Sequence, residues 1–203
     1  MALAQNYSAS AAYLFAIVAG LAFGAADQYL GSRSALGAGT ASVSGLSAPW
    51  LVLPFVAGMT QDRDRRALGL DLVATASALV GYFAMTYSPM ENVPLERFFS
   101  GVIAMVRSGY NPLWIVGGMV IGPLYGLLGQ RWRVDRSWIS AALVTCALCF
   151  EPLARRVVGM LSPPPFVWAA EVAVGAIVAI SFTLMIATAR HAREMVPPTP
   201  PTV

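Results

Sequence analysis

Four acidic residues stand inside stretches that are otherwise apolar: Asp27, Asp71, Glu151 and Glu171. An ionisable side chain at the middle of a membrane helix costs about 2.5–3.5 kcal/mol on insertion scales, so such residues are paired or functional. Glu151 precedes Pro152 and has Arg155 one turn further on, a spacing suited to an ion pair, with Arg156 next to it. Glu171 falls early in the following apolar stretch, and hairpin geometry brings it towards Glu151. Asp27 lies near the same end of the first stretch. Glu151, Glu171, Arg155, Arg156 and Asp27 therefore predict a mixed-charge cluster. Such a cluster suits a small polar solute, or it forms a salt-bridge network locking the last two helices. Asp71 follows Arg66 by five residues and shares a helical face with Thr75, Ala78 and Tyr82. It reads as a surface acid paired to a loop arginine, with Asp71 and Tyr82 also candidate ligand contacts.

Other chemistries lack their residues. The single histidine, His191, lies in a charged tail, and there is no His-rich metal set, G-x-S-x-G motif or phosphate-cradling loop. Asp27 and Asp71 fall at opposite ends of their stretches, which removes a paired-aspartate mechanism. The expectation is a non-enzyme with no metal and no cofactor. Cys146 and Cys149, both in one apolar run, read as buried inert thiols.

The elements that position these groups are membrane helices. Of 203 residues, 57% are hydrophobic and 11% charged, against roughly a quarter charged in soluble domains. A spanning helix needs about 20 apolar residues, and six apolar segments emerge. They cover residues 11–30, 47–60, 67–87, 112–130, 137 to between 150 and 161, and 166–188. The fold class is all-α: a polytopic membrane bundle of about six transmembrane helices. Residues 1–196 form one transmembrane domain, and the Pro-rich tail, 197–203, is expected to be disordered. The first segment has no preceding Lys or Arg, so it reads as an uncleaved helix rather than a signal peptide.

All 13 basic residues are arginine. Arg63, Arg65, Arg66, Arg131, Arg133, Arg136, Arg190 and Arg193 fall on one side if both termini are cytoplasmic, against Arg33, Arg97, Arg107, Arg155 and Arg156 on the other. Arginine in short loops favours the cytoplasm, so the expected location is the bacterial cytoplasmic membrane, with both termini inside. No basic block points to nucleic acid. The two arginine-rich loops, at 61–66 and 130–136, resemble each other and hint at an internal repeat.

The second segment is too short to span. Ser47 caps it and Pro49 sits in its first turn. Two readings stand: a broken, re-entrant element, or an outer loop followed by a short capped helix. Residues 93–108 read as an amphipathic interfacial helix, a possible lid, with Phe98, Phe99, Val102, Met105 and Val106 on lipid. Trp50, Trp114, Trp132, Trp138 and Trp168 lie near segment ends and read as interfacial anchors.

Small residues recur every four positions in the first segment, at Ala12, Ala16, Gly20 and Gly24, and in the fourth, at Gly118, Gly122 and Gly126. Such stripes allow close backbone approach between membrane helices. They pack either within the chain or against other membrane subunits. Pro123 is expected to bend the fourth segment.

The segments Ser44-Gly45-Leu46-Ser47-Ala48-Pro49-Trp50 through Phe55-Val56-Ala57-Gly58, then Ala78-Leu79-Val80-Gly81-Tyr82, and Glu151 resemble an uncharacterised family of small bacterial multi-pass proteins. That resemblance implies architecture only. Six helices, cytoplasmic termini and a small-residue first helix are also similar to substrate-capture subunits of energy-coupling vitamin transporters. That likeness implies docking through Ala12, Ala16 and Gly20 and a substrate site near the outer surface. The leading expectation is thus a protein that binds or transports a small solute through an outward-facing polar pocket. The alternative is a structural or assembly subunit of a larger membrane complex.

Overall fold

The computed structural model describes residues 9–33, 42, 44, 46–107, 111–157, 159 and 164–194. Each of the six apolar segments lies on a helix. These are α1 (Ala9–Ser32), α2 (Ala48–Gly58), α3 (Asp64–Thr86), α5 (Asn111–Asp135), α6 (Trp138–Val157) and α7 (Pro165–Glu194). The amphipathic stretch forms two 3₁₀ turns, Pro89–Glu91 and Leu95–Arg97, followed by α4 (Phe98–Arg107). The tail 197–203, most of 35–46, and the side chains of Met105, Val106 and Trp114 lie outside the described residues.

Four helices, α1, α3, α6 and α7, are long and apolar enough to cross a membrane. The other two differ. α2 has 11 residues, about 16 Å at 1.5 Å per residue, and α5 has 25 residues but carries Gln130, Arg131 and Arg133 in its last turns. Large apolar side chains point outward along the long helices, among them Phe15, Val120, Leu143, Phe150, Ile177 and Leu184. In water such a surface would drive aggregation; in lipid it is the solvated face. The protein is a polytopic helical membrane protein.

Close helix approach explains the inside. α1 and α3 pack backbone to backbone: a Cβ on Gly24 would strike the Ala78 carbonyl, and one on Gly81 would strike the Leu21 carbonyl. Ala16, Leu70 and Ala74 fill the same seam. On α5, Gly122 and Gly126 receive Thr75 and Asp71 of α3, while Gly126 also meets Gly58 of α2 and Gly129 meets Phe55. Both small-residue stripes are therefore covered by this chain's own helices, chiefly α3.

A second core joins α2, α5, α6 and α7 through Ala48, Phe55, Trp132, Ala141, Val144 and Leu148, with Phe182 packed on it. Trp132 is 0% exposed, its ring 4.3 Å from Phe182. Near a segment end it was expected at the interface; instead it is a core residue, because α7 extends past it and covers it. Trp138, by contrast, is 66% exposed. The thiols also depart from expectation. Cys146 is exposed on the lipid side and Cys149 is half-buried against Gly175.

The polar connections sort into two ends. The arginine-rich loops bond to each other: Arg131 pairs with Asp64 at 2.8 Å, Arg133 with Asp62 at 2.9 Å, and Gln130 donates to the Asp62 carbonyl. At the other end Ser32 donates to Glu91 at 2.6 Å and Arg33 to the Met90 carbonyl at 2.6 Å.

Candidate functional site

The cluster forms around the first turn of α2. A helix N-terminus leaves its first amides without intrahelical partners and carries partial positive charge. Ser47 at the cap position makes no side-chain capping bond. Glu151 of α6 takes that role from another helix. The Ser47 amide donates to Glu151 Oε1 at 2.5 Å and the Ala48 amide to Oε2 at 2.6 Å. Arg155, one turn further along α6, donates from Nε to Oε1 at 2.7 Å and reaches the Ser47 hydroxyl at 3.4 Å. The ion pair is largely out of solvent, with side chains 8% and 14% exposed. Pro152, also buried, follows Glu151 inside α6.

On the other side of the turn, Trp50 donates from its indole to Asp27 of α1 at 3.2 Å. The Trp50 ring packs edge-on against Phe23 and Tyr82, and Tyr82 is close enough to Asp27 to feel its charge. Asp27 and Tyr82 thus belong to the same neighbourhood as Glu151. The start of α2 lies below the ends of α1 and α6, since Asp27 and Glu151 are five and six residues in from them. A short helix thus points its first amides at a carboxylate of another helix; the segment before it, on which the two sequence readings differ, lies mostly outside the described residues.

Glu171 completes the cluster. It is 6% exposed, stands beside the Glu151 carboxyl group at hydrogen-bonding range and within electrostatic reach of Arg155, and receives no hydrogen bond from any donor among the described residues. Trp168, one turn before it, also has an unpartnered indole N–H. Arg156 does not join: it is exposed, because residues adjacent on a helix point about 100° apart.

Asp71 departs furthest from the sequence reading. It has no arginine partner. It is 0% exposed, neither oxygen is hydrogen-bonded, and its carboxylate lies on the bare Cα of Gly126. Gly126 in turn touches Gly58, the last residue of α2, whereas Glu151 holds Ala48, the first. Asp71 and Glu151 therefore stand at opposite ends of α2, on the order of 15 Å apart by helix rise. The polar residues of the sequence divide into two centres.

One participant was missed from sequence. Arg133 of α5 donates to the Thr60 carbonyl at 2.5 Å and the Met59 carbonyl at 3.4 Å, at the C-terminal end of α2. The signal available was charge sign alone, since a cation suits a helix C-terminus; nothing in the spacing named the helix.

Among the described residues, no group of three or more His, Cys, Asp or Glu side chains could hold a metal ion. No characterised protein and no solved structure matches the chain. A match over residues 3–201, nearly the whole length, shows that the chain belongs to DUF6518, a family of unknown function.

Proposed function

We propose that this membrane protein binds, and by binding transports, a small solute carrying a positively charged group, without catalysing a reaction on it. The observation that carries this reading is Glu171: a buried carboxyl group with no donor from the fold, set beside Glu151, whose own charge is already paired with Arg155. Glu151 is neutralised by Arg155 and by two helix-terminal amides. Asp27 is held by Trp50. Glu171 is the acid left over, so the complementary ligand group is an ammonium or guanidinium. The arginine distribution favours cytoplasmic termini in a bacterial inner membrane, which sets this cluster towards the outside.

The test is thermal unfolding of the detergent-purified protein against a panel of amino acids, polyamines and cationic vitamins. A ligand at 100 times its Kd stabilises the native state by about 2.7 kcal/mol. The expected result is a saturable rise in Tm with a cationic compound, lost in Glu171→Gln. A panel that moves neither protein, or moves both equally, defeats the proposal.

A second reading, a structural or assembly subunit, rests on Glu151. Its oxygens are both engaged in holding α2, which is what a purely architectural acid does. Co-purification of a stoichiometric membrane partner would favour it.

A further inference from the structure

At the other end of α2, we propose that Asp71 and Thr75 form an intramembrane site for one monovalent cation, a proton or a sodium ion, distinct from the outer cluster. Two side chains of α3, one turn apart, face the glycines of α5 and carry three oxygens without hydrogen-bond partners: Asp71 Oδ1, Asp71 Oδ2 and Thr75 Oγ1. Asp71 is 0% and Thr75 5% exposed. Asp71 lies against Gly126 and Thr75 against Gly122, where any Cβ would collide with these polar atoms. The two glycines thus create the room in which the oxygens sit.

The neighbours supply no counter-charge. α5 presents Gly122 and Gly126, α2 presents Gly58 through Gly126, and α1 packs on α3 with Ala16, Gly20 and Tyr13. Asp71 forms no ion pair and no hydrogen bond among the described residues. Of the arginines in the 61–66 and 130–136 loops, Arg131 pairs with Asp64 and Arg133 with Asp62 and α2, Arg136 stacks on Trp132, and Arg63, Arg65 and Arg66 are exposed. Gln130, one turn beyond Gly126 on the same face of α5, carries a buried Oε1 that is also unpartnered.

A bare carboxylate in such a place is expensive: an ionised group taken from water into a low-dielectric interior is neutralised or paired. One negative charge calls for one positive charge, which argues against a divalent ion. Carboxylate, hydroxyl and amide oxygens are hard donors that suit a proton or an alkali cation rather than a transition metal. Membrane acids of this kind mark ion pathways and proton relays. The site stands independently of the solute proposed for Glu171.

The experiment has two arms on the full-length protein in detergent. In the first, Tm is followed as sodium chloride replaces choline chloride at constant ionic strength. Sodium occupancy gives a saturable rise that Asp71→Asn abolishes and Thr75→Val shifts to about tenfold higher sodium, the loss of one oxygen contact. In the second, infrared spectra seek the carbonyl stretch of a protonated carboxyl group at neutral pH. Proton occupancy gives a band that moves on ¹³C labelling of aspartate and survives Asp27→Asn. The second arm needs only the wild-type protein and Asp27→Asn, so it stands even if Asp71→Asn fails to fold. Either positive result supports the site, and the arms tell the two cations apart. Absence of both, leaving Asp71 ionised in sodium-free buffer, overturns it.

Discussion

Glu151 and Arg133, from different helices, hold opposite ends of the same 11-residue helix. Glu151 accepts the amides of Ser47 and Ala48, and Arg133 donates to the carbonyls of Met59 and Thr60. The signs match the helix dipole, acid at the N-terminus and base at the C-terminus. α2 is too short to satisfy its ends in water on both sides of a bilayer, so its terminal groups find partners in protein. This clamp fixes α2 between the outer cluster and Asp71.

Glu151→Gln is expected to destabilise the protein by about 3 kcal/mol, in the range for removing one member of a buried ion pair. It leaves Arg155 without its carboxylate and places an amide N–H₂ against backbone N–H groups. Chemical unfolding in micelles measures it, and Arg155→Met combined with Glu151→Gln should cost less than the two single changes added. Strict additivity would show that the pair does not act as a unit.

The two loop arginines should differ. Arg131 and Asp64 are about half exposed, so Arg131→Ala should change stability by no more than about 0.5 kcal/mol. Arg133→Ala removes a helix-terminal contact as well as its ion pair, and about 1 kcal/mol is expected. Equal effects from the two substitutions would contradict the clamp.

Glycine substitutions separate packed from lipid-facing positions. Gly24→Ala, Gly81→Ala and Gly126→Ala each drive a methyl into backbone or into Asp71, and overpacking of this kind costs about 1–3 kcal/mol or more. Gly117→Ala meets nothing within 4 Å, so it should be neutral or stabilising by up to about 1 kcal/mol from helix propensity. Unfolding midpoints for the four variants decide the matter. A destabilised Gly117→Ala would mean that this face of α5 is covered by something other than lipid.

Glu171→Gln should leave stability unchanged or raise it, since the wild-type carboxyl group stands beside another acid, Glu151, and receives no hydrogen bond from a donor of the fold. A loss above about 1 kcal/mol would show that Glu171 is held by the fold, and the solute reading would lose its basis.

The sequence alone determined the class of the protein and the position of its helices. Runs of apolar residues long enough for a bilayer have few physical alternatives, so the long segments were legible, and the short second one was marked by Ser47 and Pro49 at its start. The Glu151–Arg155 pair was legible too, because four-residue spacing on one helix fixes neighbourhood. Only the tertiary structure decided what the acids face. That Glu151 caps α2, that Asp71 lies on Gly126 rather than beside an arginine, and that Trp132 is core rather than anchor all depend on contacts between residues far apart in the chain. Helix periodicity orders residues within one helix and carries no information about which helix stands opposite. In lipid that choice is made by the fit of small residues and by satisfaction of polar groups across helices, which exist only once the bundle has assembled.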